Sequence, residues 1–191
     1  YYRDNCSTRV RDAIDRVLNG AFREQTQAVP TGTSYRFHTQ RLTANDPPIF
    51  TGLLLALGEG VDRPISAWEE MFLPLKLREH VRHVTVPGPD GGRLPLVRSE
   101  RTLFESSATP PPDAPPFWLP WYLALGAAIG GIALVLAGRA KAGGPARVGF
   151  LVVAGGWAAV AGLGGLVLAG LWGLTDHVMA YCNENLLQLN P

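Results

Sequence analysis

Two cysteines, Cys6 and Cys182, are too few for the multiple bridges that staple small secreted domains, and nothing in their spacing requires them to pair. The chain carries a net charge of only +1 and has no stripe of Arg and Lys interleaved with aromatics, so it offers no ground for a nucleic-acid partner. Charge is scarcest in the second half: 117–174 holds Arg139, Lys141 and Arg147 and no acid at all. A stretch of that length and composition is suited to lipid rather than water. Also lacking is an initiator methionine, basic n-region or signal peptide ahead of Tyr1. We therefore expect a missing N-terminal part, and a further membrane segment after Leu186, Leu187 and Leu189, which begin a new apolar pattern.

The remaining sequence divides by composition into a charged segment at 1–108, a proline-rich linker at 109–116 and an apolar segment at 117–191. Val10, Ile14, Val17 and Leu18 recur at helical spacing while Arg9, Arg11, Asp12 and Asp15 are assigned to the wet face. Asp4 or Asn5 can cap this helix and Asn19-Gly20 can end it, which places Cys6 in its first turn. Thr33 and Ser34 can cap a helix through Thr43, although Tyr35 and Phe37 alternating with Arg36 and His38 also fit a strand; a helix is favoured. Asp46 before Pro47-Pro48 starts a helix that is apolar nearly all round and is expected to be buried or against a membrane. Ser66-Ala67-Trp68-Glu69 reads as a capping box, and Pro74 restarts the helix that follows. Residues 84–86 and 94–97 flank a Pro- and Gly-rich turn and predict an edge hairpin.

Residues 117–137 contain no charge and make a helix about 30 Å long, enough to cross the hydrocarbon core. Residues 148–174 would run to about 40 Å and must tilt or start in the interface. Trp118, Trp121, Tyr122 and Trp172 suit an aromatic belt. Gly126 with Gly130, and Ala161, Gly165 and Ala169, repeat an interval of four that permits close helix approach. The basic loop at 138–146 should be cytoplasmic, which sends Cys6 and the segment after residue 174 to the outer face.

Cys6 is the candidate nucleophile: unpaired backbone N–H groups and the positive end of a helix favour an anion there, with Arg3 and Arg9 near in sequence. No base lies close to it in sequence. His80 and His83 lack further metal ligands and sit with Lys76, Arg78 and Arg82, so a solvated or headgroup-facing basic helix is the better reading, and no metal or cofactor is expected. Asp176, His177, Asn183 and Asn185 cluster where the second long helix ends, with ordinary capping as the plain alternative to a role in binding.

Three separated motifs occur in order: Tyr1-Tyr2 with Asn5-Cys6-Ser7-Thr8-Arg9; Glu69-Glu70-Met71-Phe72-Leu73-Pro74; and Thr175-Asp176-His177 followed by Asn183-Glu184-Asn185 and the run to Pro191. Together they resemble the Lnb-type bacterial membrane proteins over nearly the whole chain. The resemblance implies a mostly α chain: the C-terminal part of a permuted papain-like, NlpC-type extracytoplasmic α+β domain, followed by a transmembrane helical bundle in the bacterial inner membrane. It further implies lipoprotein N-acylation, with Cys6 catalytic, a histidine base upstream of Tyr1, and membrane lipids and a lipoprotein as partners. Asn5, Asp176, His177, Asn183 and Asn185 would then position a headgroup or substrate. A cell-wall hydrolase of the NlpC type and a non-catalytic membrane scaffold are the alternatives.

Overall fold

A computed structural model describes residues 1–140 and 143–185. Lys141 of the basic loop and the closing run at 186–191 lie outside the described residues. The chain is mostly helical, with two small two-stranded sheets, and divides into two compact units: Tyr1–His38 with Asp62–Pro111, and Thr39–Val61 with Pro112–Pro191. Residues 39–61 thus group with the long apolar helices rather than with the rest of the charged segment.

The first unit begins with α1 (Cys6–Val17), capped by Asn5 in a reciprocal arrangement. The Thr8 N–H donates to Asn5 Oδ1 at 3.0 Å and the Asn5 N–H donates to Thr8 Oγ1 at 2.8 Å. A cap of this kind contributes about 1 kcal/mol by satisfying N–H groups that the helix leaves open. The helix ends where Asn19 and Gly20 take positive φ (52° and 88°) and the Gly20 N–H returns to the Asp15 carbonyl. After α2 (Ala21–Thr26), β1 (Pro30–Ser34) pairs antiparallel with β2 (Pro64–Ser66). The ambiguous stretch after it is a helix, α3 (Tyr35–Leu42), with the Ser34 hydroxyl accepting from the Phe37 N–H. Ser66 and Glu69 form the expected capping box of α5 (Ala67–Glu70), and Pro74 occupies the first turn of α6 (Pro74–Val81). β3 (Thr85–Pro87) and β4 (Arg93–Pro95) make the hairpin. Phe22, Trp68, Met71, Leu77 and Val84 form the core, with Ile14, Leu18, Val81 and Leu96 at its edge.

The facing of α1 matches the sequence expectation only in part: Ile14 and Leu18 pack against the core, but the buried residues of the helix are Ser7, Thr8 and Arg11, while Val10 and Val17 are exposed. The reason is the supply of partners on α5 and the turn after it. The Ser7 hydroxyl donates to the Met71 carbonyl at 2.7 Å, and Arg11 donates to the Trp68 carbonyl at 2.9 Å while its guanidinium stacks 4.0 Å from the Trp68 ring centroid. Asp12, placed with Arg11 on the same helix, takes two further guanidinium hydrogen bonds. A buried cation so paired need not seek water.

In the second unit, α4 (Pro47–Ala56) starts at Asp46, whose carboxylate accepts from the Ile49 N–H, and two prolines fill its first turn. The long helices are α7 (Leu119–Ala140) and α8 (Pro145–Gly173), of 22 and 29 residues. Each is long and apolar enough to cross a bilayer, with mean hydropathy 1.9 and 2.0. They pack on each other, yet among the described residues α7 buries none of its own and α8 only Ala161 and Leu168. A Cβ at Gly126 or Gly130 would meet nothing, so that small-residue pair marks no close approach within the described chain.

Candidate functional site

Cys6 is the first residue of α1, and its thiol is free and exposed. What holds it there is the pairing of α1 with the turn at 71–73. The Asn5 amide donates to the Phe72 carbonyl at 3.0 Å and the Ser7 hydroxyl to the Met71 carbonyl, so the residues on either side of Cys6 are both anchored. Two side-chain bonds flanking one exposed thiol fix its backbone while leaving the sulfur accessible. Tyr2 packs against Phe72 and Tyr35, with ring centroids 5.2 and 4.8 Å apart, and closes the same side of the turn.

The turn itself is held by Glu70, a residue the sequence reading did not single out for chemistry. Its carboxylate is 2 % exposed and receives His38 Nε2 at 2.9 Å, His80 Nε2 at 2.8 Å and the Thr33 hydroxyl at 3.3 Å. Lys76 Nζ stands 3.8 Å away. Burial pushes the Glu70 carboxyl up, but the His38 and His80 hydrogen bonds and the Lys76 charge outweigh it and hold it well below the ordinary carboxylate range. The cluster joins β1, α3, α5 and α6 through one buried anion. The available signal was a second glutamate inside the apolar run from Ala67 to Leu73: Glu69 completes the capping box and is paired with Arg63, which leaves Glu70 on the inward side. His80 therefore belongs to an internal network, while His83 remains exposed, and no metal cluster is present among the described residues. None of the imidazoles is hydrogen-bonded to Cys6 among the described residues.

Asn5 and Cys6 belong to the first unit; Asp176, His177, Asn183 and Asn185 belong to the second. There, Asp176 and His177 are exposed, with His177 Nδ1 2.7 Å from the Thr175 hydroxyl. The two asparagines are occupied by structure: the Asn183 amide donates to the Leu55 carbonyl at 2.6 Å, and the Asn185 amide reaches the Leu54 and Leu55 carbonyls at 3.4 and 3.2 Å. Asn183 is buried, and both side chains cap the open C-terminal carbonyls of α4. No family model, curated protein or solved structure matches the chain.

Proposed function

We propose that this chain is part of a membrane-anchored cysteine acyltransferase, in which Cys6 takes an acyl group from a lipid or lipoprotein ester and passes it to an amine. The observation that carries the reading is the placement of Cys6: an exposed thiol at the start of a capped helix, with both neighbours fixed. Open N–H groups there suit the oxyanion formed when the sulfur attacks a carbonyl. In the first step the sulfur bonds to the ester carbonyl carbon, the carbon–oxygen bond breaks, and the departing alkoxide takes the thiol's proton. In the second the amine attacks the thioester, the carbon–sulfur bond breaks, and the amine's proton returns to sulfur. The resemblance to Lnb-type proteins supplies the acceptor class, the amino terminus of a lipoprotein, and a permuted papain-like fold with its base on a preceding segment.

The two long helices support anchoring in the bacterial inner membrane. With the connection between α7 and α8 on the cytoplasmic side, the start of α7, the end of α8 and the cysteine-bearing unit are extracytoplasmic. Asp176 and His177, exposed beyond the end of α8, are then at the right level to meet a lipid headgroup. The test is mass spectrometry of the Cys6 peptide from the protein purified from membranes, with and without neutral hydroxylamine. A labile fatty-acyl adduct, lost in Cys6→Ala, is the expected result. An unmodified Cys6 in a preparation blocked at the acceptor step overturns acyl transfer and favours a hydrolase or a scaffold.

A further inference from the structure

α4 has no charged residue between Asp46 and Glu59; its exposed residues are Pro47 at the very start and then Pro48, Ile49, Gly52 and Leu55. The last four share one helical face, and every residue on it is apolar; only Phe50 is buried in α4. A helix at a water surface carries polar side chains on such a face, and a core helix buries it. α4 does neither.

Its attachments show where it sits within its unit. The Thr51 hydroxyl is 2.7 Å from the Tyr122 hydroxyl in the first turn of α7. Past its C-terminus, the Gly58 N–H donates to the Met179 carbonyl at 2.8 Å, and the Glu59 N–H to the Cys182 carbonyl at 3.3 Å, in the segment that follows α8. The two segments approach so closely that a Cβ on Gly58 would collide with the Tyr181 carbonyl oxygen. α4 is thus fastened to the beginning of one long helix and to the segment beyond the end of the other, the level at which Trp121 and Trp172 are exposed. Aromatic side chains at the two ends of apolar helices on one side mark a membrane–water boundary.

The backbone is prepared for that location as well. The Leu54 and Leu55 carbonyls, which a helix leaves open at its end, are taken by the Asn183 and Asn185 amides, and the Leu53 carbonyl by the Leu57 N–H. Backbone groups facing hydrocarbon must be satisfied within the protein, whereas at a water surface no such provision is needed.

We infer that α4 is an interfacial helix that lays its Pro48–Ile49–Gly52–Leu55 face into the acyl-chain boundary of the outer leaflet, continuous with the lipid-facing surface of α7 and α8. The inference rests on the reading of α7 and α8 as membrane-spanning. The occupant of the face is phospholipid, because the apolar surface of α4 runs on from helices already assigned to lipid and has no charged group to guide a protein partner.

The experiment uses the unaltered chain reconstituted in phosphatidylcholine vesicles containing a phosphatidylcholine with a diazirine in its acyl chain. After irradiation and proteolysis, labelled peptides are mapped by mass spectrometry. Label on α7, α8 and the 47–57 peptide, several-fold above that on α1 peptides, is the expected result. Label on α7 and α8 with none on 47–57 overturns the interfacial helix and leaves the spanning helices standing; a face covered by another polypeptide would give this outcome. Label on none of the three removes the membrane reading and the inference with it.

Discussion

In the first unit Arg11 and Glu70 are 7 % and 2 % exposed while Val17 is 81 % exposed; in the second Asn183 is 3 % exposed while Ile132 is 55 % exposed. Both units bury polar groups and display apolar ones, but for different reasons. In the first, the buried groups find fixed partners, the Trp68 carbonyl as acceptor for Arg11 and two imidazoles as donors to Glu70, and the exposed Val10 and Val17 are single residues on one helix. In the second, one asparagine is buried to close a helix end, and apolar exposure extends over both long helices. Sparse exposed valines are ordinary for a protein in water, whereas two exposed apolar helices of this length are suited to a bilayer.

The largest expected effect that sharpens this contrast is at Glu70. Glu70→Ala removes the anion shared by His38, His80 and Thr33, and should destabilise the first unit by roughly 3–5 kcal/mol, as for a buried pair that loses one partner. Urea denaturation of the full chain in detergent micelles measures it. The pH dependence has a definite sign. Because the folded-state pKa of Glu70 is depressed, its contribution is complete above the unfolded value near 4.5 and is lost as pH falls through the lower folded value. Wild type should therefore lose stability below about pH 4.5 more steeply than Glu70→Gln. Equal slopes would mean that the cluster does not hold Glu70 as an anion.

Ile132→Arg tests the other side of the comparison. If α7 spans a bilayer, a cation near its middle costs roughly 2.5–3.5 kcal/mol of insertion, seen as a fall in the membrane-integrated fraction. A solvated α7 would accept the same change within about 0.5 kcal/mol, as exposed sites usually do. Full integration with unchanged stability would erase the distinction between the two units.

The elements defined by local chemistry were legible in the sequence: the Ser66–Glu69 capping box, the Asp46-Pro47-Pro48 start and the Asn19-Gly20 stop all formed as expected. The apolar helices were also legible, shifted from 117–137 and 148–174 to Leu119–Ala140 and Pro145–Gly173, since Pro145 serves as an N1 residue and extends α8 backwards. What periodicity could not give was which side of α1 the fold would use. Of the expected face of Val10, Ile14, Val17 and Leu18, only Ile14 and Leu18 pack on the core, because the facing is decided by acceptors at Trp68, Met71 and Phe72, some sixty residues away. The same holds for Glu70, whose partners come from β1, α3 and α6, and for Asn183, whose acceptor lies on α4. The position of Cys6 at the helix start was readable because a cap is local; its anchoring to the turn at 71–73 was not.

That rotated facing of α1 yields the smallest and most discriminating pair of changes. Arg11→Ala leaves the Trp68 carbonyl without its donor and strips a cation from the Trp68 ring, so it should cost about 1–3 kcal/mol. Val17→Ser, on the exposed side, should move stability by no more than about 0.5 kcal/mol. An amphipathic helix packed by its apolar stripe demands the opposite order, because a polar residue at a buried valine is expensive and an arginine on the wet side is dispensable. Urea midpoints of the two variants of the full chain therefore decide between the two packings: a larger loss at Val17 than at Arg11 would return α1 to the facing its periodicity suggests, and would detach Cys6 from the anchoring that Asn5 and Ser7 provide.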